Sequence, residues 1–192
     1  MKIGILALQG DFHEHQVCFN KLNAETQLVR SVSDLNLCDS LVIPGGESTT
    51  ISKLLKISNL DSEIIIRSKS GMPLWGTCAG LILISKKIIE GDPIPLKLID
   101  VKTSRNFYGR QVDSFVEKID LFDDKNEFEA IFIRAPKIIE IGKNVNILAI
   151  TNDNSPVAVQ SENILGTTFH PELTDDLRIH KYFIGMKSKK FN

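Results

Sequence analysis

GTCAGLILIS, residues Gly76–Ser85, sets a cysteine between two glycines, directly after MPLW and directly before an apolar run that reads as a helix. A sharp strand-to-helix turn accounts for the arrangement: Gly76 and Gly80 relieve steric crowding while the residue between them is held at the tip. G-x-C-x-G is the cysteine form of the nucleophile elbow, which exposes its middle side chain at the carboxyl end of a central strand. The helix N-terminus behind it adds partial positive charge, which favours an anionic sulfur. By itself the motif leaves two readings of Cys78 open, a buried small hydrophobe or a nucleophile, because burial is the common fate of a free cysteine. A base elsewhere in the chain has to decide between them.

Outward from the elbow, apolar runs of strand length alternate with longer amphipathic stretches, the pattern of helices around a largely parallel sheet. KIGILAL (Lys2–Leu8) reads as a fully buried strand and Asp11–Leu22 as a helix. TQLV and SLVI are further strands, the second stopping at the PGGES turn. Ser48–Ser58 and Leu60–Ser70 are predicted helices, the second with a cap at Asp61, and MPLWG feeds the elbow. From Leu96 onward the chain turns to strands: LKLIDVK, VDSFVEKI, FEAIFIRA, VNILAIT, SPVAVQS and ILGTTFH. Short turns such as NDNSP and SEN predict that this half adds antiparallel strands to the sheet. A last helix over Asp175–Met186 closes the fold, and KSKKFN (187–192) reads as a frayed basic tail.

At 192 residues and 42% hydrophobic content, the chain fits a single domain over 1–192. Its 23 Lys and Arg against 24 Asp and Glu leave a net charge of -1, which offers no footprint for nucleic acid or an anionic membrane. MKIGILALQG lacks the apolar length and cleavage site of a signal peptide, and no apolar run approaches the roughly 18–20 residues that span a bilayer. Cys18, Cys38 and Cys78 are an odd count without close spacing, as expected of a reducing cytoplasm rather than a disulfide framework or a zinc site. Cys18 and Cys38 read as core packing.

TTFHPEL (Thr167–Leu173) supplies the missing base. His170 and Glu172 stand two apart at the end of a predicted strand, where residues i and i+2 face the same way. Glu172 can then hold one ring nitrogen of His170 while the other faces a nucleophile. A His-x-Glu pair is weak alone. With a cysteine elbow on the same sheet edge, nucleophile, base and orienting acid are all present.

Cys78 in GTCAGL followed about ninety residues later by HPE resembles the class I, triad-type glutamine amidotransferases. More narrowly, LALQGDFHEH, PGGESTT, GTCAGLILI, RNFYGRQVDSF, FIRAP and HPELTDDLRIH, running in order from Leu6 to His180, resemble the family of glutaminase subunits of pyridoxal 5′-phosphate synthases. The resemblance implies an α/β three-layer sandwich with a mixed, mostly parallel central sheet of flavodoxin-like type. It implies hydrolysis of L-glutamine to glutamate and ammonia, with no metal or organic cofactor in the amidase step, and delivery of the ammonia to a synthase subunit.

By the same resemblance Cys78, His170 and Glu172 form the triad, and the N–H groups of Gly46 and Ala79 form the oxyanion hole. Gly46, Glu47, Ser48, Arg105, Ile133 and Arg134 bind glutamine, an arginine and a glutamate matching its α-carboxylate and α-ammonium. Gln9 and Gly10 fall where relatives meet the synthase. Two residues depart from the family pattern, Phe107 beside the substrate arginine and Phe12 near the partner-contact segment. His13, His15 and His180 read as histidines of the helix surface or just behind the site. A related glutaminase of histidine biosynthesis or a cysteine peptidase would lack PGGESTT and RNFYGRQ, and a silent regulatory subunit would not need an intact triad.

Overall fold

The computed structural model describes residues 1–105, 114–122 and 126–186. The first half runs β1 (Lys2–Leu6), α1 (Phe12–Lys21), β2 (Glu25–Val29), α2 (Val32–Leu35), β3 (Ser40–Ile43), α3 (Ser48–Ile57), α4 (Leu60–Lys69), β4 (Leu74–Thr77) and α5 (Ala79–Ile84). The second half is mainly strand: β5 (Ser85–Ile88), β6 (Ile99–Ser104), β7 (Ser114–Leu121), β8 (Phe128–Ile133), β9 (Lys137–Ile141), β10 (Asn146–Ile150), β11 (Pro156–Ser161) and β12 (Ile164–Thr167). A 3₁₀ turn (Pro171–Leu173) and α6 (Arg178–Gly185) follow.

Nine strands form one mixed sheet in the order β2-β1-β3-β4-β12-β11-β10-β7-β8. Its β2-β1-β3-β4-β12 part is parallel throughout. From β12 outward through β11, β10, β7 and β8 every pairing is antiparallel. The elbow strand β4 therefore lies inside the parallel part, between β3 and β12.

Side-chain alternation along these strands builds a core on each face. Leu41, Ile43 and Leu74 pack with Ile51, Leu55, Leu60, Ile64 and Leu81 from α3, α4 and α5. Val42 and Trp75 point the other way, to Phe19 of α1 and Ile179 and Phe183 of α6. Strands buried on both faces read as continuous apolar runs, which is why KIGIL and SLVI carry no polar alternation. The result is the three-layer α/β architecture expected from the sequence. Among the described residues no helix is long and apolar enough to cross a membrane.

The structure differs from the sequence reading in three places. LKLIDVK does not join the main sheet: β6 pairs parallel with β5 and antiparallel with β9, making a separate three-stranded sheet that closes over the α5 side. Neither β5 nor β9 is visible in the sequence, since SKKI is half charged and KIIEI has no clean alternation. At α4 the N-cap is Asn59, in the left-handed region at φ 55°, whereas Asp61 sits inside the first turn and accepts the Ser62 N–H at 2.8 Å. The four-residue α2 is likewise absent from the sequence reading. It is held by a capping box between Ser31 and Asp34, a pattern too short to show helical periodicity. The basic tail 187–192 and Phe107 lie outside the described residues.

Gly80 shows why the elbow needs its second glycine. A Cβ there would stand 2.0 Å from the Ile43 carbonyl oxygen of the adjacent strand, and one on Gly76 would stand 2.6 Å from the Gly80 backbone. Gly80→Ala is therefore expected to destabilise the fold by on the order of 3 kcal/mol, read as a lower midpoint in denaturant unfolding. A midpoint equal to that of the parent would refute the close approach.

Candidate active site

β4 ends at Thr77 and α5 begins at Ala79, so Cys78 alone makes the turn. It does so at φ 48°, ψ -105°, a conformation that costs a non-glycine residue of order 1–3 kcal/mol and that persists only where surroundings impose it. They do: the Cys78 N–H donates to Thr167 O at 2.8 Å, and its carbonyl accepts the Ile82 N–H at 3.2 Å. The sulfur is directed into a cleft of about 480 Å³, 3.9 Å from the Ile133 carbonyl oxygen.

His170 leaves β12 with its N–H on the Ile131 carbonyl at 2.8 Å, which anchors it to β8 as well. Its Nδ1 is 2.7 Å from Glu172 Oε1, and the ring shares the cleft wall with Cys78, to which it is coupled electrostatically. The pairing expected from extended backbone is made by a different local device. β12 ends at Thr167, and Glu172 lies in the 3₁₀ turn opened by Pro171, which curls the carboxylate back under the ring. Burial opposes a charge on His170, but the hydrogen bonds and negative charges of Cys78 and Glu172 outweigh it and carry its pKa up to about 10. Burial pushes Glu172 the other way, above the usual carboxylate range, and the His170 ring partly offsets that.

The rest of the cleft is laid out on loops at the carboxyl ends of the parallel strands, the position expected for a ligand site on an open α/β sheet. Gln9, Gly10, Asp11, Gly46, Glu47, Ser48, Ala79, Arg105, Ile133 and Arg134 all line it with Cys78 and His170. Glu172 does not: it stands behind His170, its side chain fully covered. Ala79 opens α5, where the first helical N–H groups lack internal partners. Glu47 caps α3 through Thr49 N (3.0 Å) and Thr50 N (2.6 Å). Although desolvation opposes it, bonds from Thr50 and Thr49 bring the Glu47 pKa down to about 2, so this carboxylate is anionic across the working range. Arg105 reaches it at 3.3 Å and is braced by the Asp92 carbonyl at 2.7 Å. Arg134 sits on the rim with φ 43°.

Two hydrogen bonds tie the β1–α1 segment to the PGGES loop. Asp11 N–H donates to Gly45 O at 3.1 Å, and Glu47 N–H donates to Gln9 Oε1 at 2.8 Å. They bracket the Gly45–Gly46 peptide, with Gly46 at φ 151°. Gly10 is required at φ 98° because a Cβ would lie 1.8 Å from the Gly45 oxygen.

Sequence reasoning missed Asp11, Ile82 and Leu173 in the cleft wall. Asp11 Oδ2 approaches His170 Nδ1 at 3.5 Å and shares a 4.8 Å cluster of ligand-type atoms with His170 and Glu172. Nδ1 is already hydrogen-bonded to Glu172 and has Asp11 at ion-pair distance, so it is not free to serve as a cation ligand. Of the two places read for the histidines, the helix surface holds for His13, which is exposed, and the place just behind the site for His15 and His180, which are fully buried on the core side of Glu172. A second cleft, of about 620 Å³, lies over the small sheet. It is lined by Lys86, Lys87, Lys97 and Lys102 with Asp100 and Glu140 and holds no nucleophile or base pair.

Comparison with known proteins fits this geometry. Residues 5–189 match the model of the SNO glutamine amidotransferase family. The chain is 49% identical to the pyridoxal 5′-phosphate synthase subunit PdxT of Thermosipho africanus, covering 98% of this chain and 100% of that one. It is 49% identical to the protein of the same name from Thermotoga maritima, over 97% and 99% of the two chains. A solved glutamine amidotransferase structure superposes with a TM-score of 0.91 at 39% identity, covering 96% of this chain and 97% of that one. The solved structure of PurLQS from Thermotoga maritima shares the fold at a TM-score of 0.68 and 12% identity, over 96% and 97%.

Proposed function

Because the chain belongs to the SNO glutamine amidotransferase family, we propose that it hydrolyses L-glutamine to L-glutamate and ammonia and hands the ammonia to the synthase subunit of a pyridoxal 5′-phosphate synthase. The observation that carries this reading is the strained Cys78 elbow sharing one cleft with a His170 whose Nδ1 is held by Glu172 at 2.7 Å. Near-full-length identity to subunits named PdxT supports the choice of partner.

Cys78 attacks the side-chain amide carbon of glutamine, and the carbonyl oxygen becomes an oxyanion facing the N–H groups of Gly46 and Ala79. Collapse of this adduct breaks the C–N bond as His170 gives a proton to the departing nitrogen, leaving a thioester and ammonia. Water, deprotonated by His170, then attacks the thioester carbon, and a second collapse returns the Cys78 sulfur and releases glutamate. Glu172 orients His170 and stabilises its charged form. At the other end of the substrate, anionic Glu47 matches the α-ammonium and Arg105 and Arg134 the α-carboxylate, with Ser48 and Ile133 lining the cleft between. Neither step needs a metal or organic cofactor. We read 1–192 as one domain working in the cytoplasm, where three unpaired thiols persist. The reading is tested by assaying glutamate and ammonia release with and without the synthase. Absence of glutamine turnover in the complex would overturn it.

The same geometry predicts gating. Free ammonia at neutral pH is mostly protonated and unreactive, so hydrolysis uncoupled from the partner wastes glutamine. The Gly45–Gly46 peptide can direct either a carbonyl or an N–H at the oxyanion position, and only the N–H stabilises it. The Asp11 N–H on its carbonyl and the Glu47 N–H of the next peptide on Gln9 couple that choice to the segment expected to meet the synthase, which can bias it through differential contacts. Saturating synthase is therefore expected to raise kcat/KM for glutamine severalfold or more. Equal values with and without the partner would refute the gate and leave the triad standing.

A further inference from the structure

Behind Glu172 lie two histidines that the mechanism above does not use. His15 of α1 and His180 of α6 are fully buried, packed edge-on against Trp75 and Phe19. His15 Nδ1 is 3.1 Å from His180 Nε2. His15 Nε2 is 3.2 Å from Thr77 Oγ1 and 3.4 Å from Glu172 Oε2. That carboxylate oxygen is completely buried and has no hydrogen-bond partner among the described residues, and neither does His180 Nδ1. We propose that His15 is a positioning residue: it presents its Nε2–H to Glu172 Oε2, with His180 fixing its tautomer, and so holds the carboxylate that orients His170.

The proton arrangement follows from the two orphaned atoms. Burial keeps both rings neutral, lowering His15 well below the usual histidine value and His180 to about 3. Each ring then carries one N–H. Were the shared proton on His15 Nδ1, the neutral His180 would bury its own Nδ1–H without an acceptor, and His15 would turn a lone pair toward a carboxylate oxygen. With the proton on His180 Nε2, the orphan at His180 is only a lone pair, and His15 carries its N–H on Nε2, 3.2 Å from Thr77 Oγ1 and 3.4 Å from Glu172 Oε2. An unpaired buried N–H and a lone-pair clash are both costly, so the second arrangement prevails. Glu172 is thereby gripped at both oxygens, by His170 on the cleft side and His15 on the core side, and neither it nor the His170 ring can swing.

The proposal rests on the triad reading for its effect on turnover, so the test includes a readout that needs no glutamine. The groups facing Glu172 are His170, and through it Cys78, then Asp11, His15 and Cys18 on the α1 side, with His180 behind. Removing the His15 donor raises the proton affinity of Glu172, so the grip on His170 fails as pH falls. His15→Leu should lower kcat in the synthase-bound enzyme by on the order of tenfold with little change in KM, and move the acid limb of its pH profile upward by about one unit. Alkylation of Cys78 by iodoacetamide, followed on its peptide by mass spectrometry, should slow at neutral pH in the same variant. His15→Gln, whose amide reaches the Nε2 position, should recover most of both readouts, and His15→Asn, which reaches only Nδ1, should not. Phe19→Leu loosens the same packing without touching the chain of donors and should lower Tm alone. A folded His15→Leu with the parent kcat and alkylation profile overturns the proposal, as does a Gln variant no better than Asn or a Phe19→Leu variant with the same kcat loss. Should His15→Leu not fold, the Gln and Asn pair decides. If the alkylation pattern appears but the parent does not turn over glutamine, the positioning role stands and the proposed substrate falls.

Discussion

Cys78→Ala is expected to abolish glutamine-dependent ammonia release, a loss of roughly 10⁴-fold or more, while the fold and binding to the synthase persist. Cys78 is the one cysteine at an elbow, and the other two supply the control. Burial pushes the Cys18 and Cys38 thiols up to about 11, so neither forms a useful thiolate near neutrality. Cys18→Ala and Cys38→Ala should alter stability and leave turnover within a few-fold. The backbone adds a second, independent readout. Because φ 48° at position 78 is unfavourable for any residue with a Cβ, Cys78→Gly should be as inactive as Cys78→Ala yet more stable, by about 1 kcal/mol. Strain retained at a position where glycine would relieve it is strain kept for the thiol. Steady-state assays in the presence of synthase, paired with thermal melts, check both statements. Near-normal activity in Cys78→Ala, or a glycine variant less stable than alanine, would contradict the assignment.

The sequence is most legible where one chain segment decides its own geometry. Gly76, Cys78 and Gly80 specify a turn whatever packs around it, and the buried strands on either side show as apolar runs. Legibility fails where partners distant in sequence decide. β5 and β9 are strands because β6 lies between them, and SKKI and KIIEI carry too little pattern to announce it. The His170–Glu172 bond follows from the sequence for the wrong local reason, since Pro171 starts a 3₁₀ turn where extended backbone is expected. His15 is the clearest case of a signal that decides between two readings the sequence leaves open, the helix surface and the place just behind the site. His15, Cys18 and Phe19 are the buried residues of α1, at the i, i+3, i+4 spacing of one helix face. A histidine on an apolar stripe beside the active-site segment marks a buried role.

His170→Asn is expected to be about as damaging as loss of Cys78, and Glu172→Gln to leave measurably more activity. The ring is required twice, to hold the proton that leaves the sulfur anionic for attack and to pass a proton to the departing nitrogen, and asparagine can do neither. Glu172 acts only through the ring. In Glu172→Gln the amide oxygen can still accept the Nδ1–H, but the negative charge that supports the imidazolium is gone. The amide nitrogen must then occupy the place of Oε2, 3.4 Å from His15 Nε2. There a second donor meets the first, so part of the population will turn over and present N–H to Nδ1, forcing the unproductive tautomer. Turnover in Glu172→Gln should therefore fall by about 10²- to 10³-fold while that of His170→Asn falls by roughly 10⁴-fold, the orienting acid counting for less than nucleophile or base. Single variants compared at saturating synthase and glutamine give the ranking directly. A His170→Asn enzyme within about tenfold of the parent, or a Glu172→Gln enzyme weaker than it, would reverse the roles given to the two residues, because an acid that only positions the base cannot matter more than the base itself.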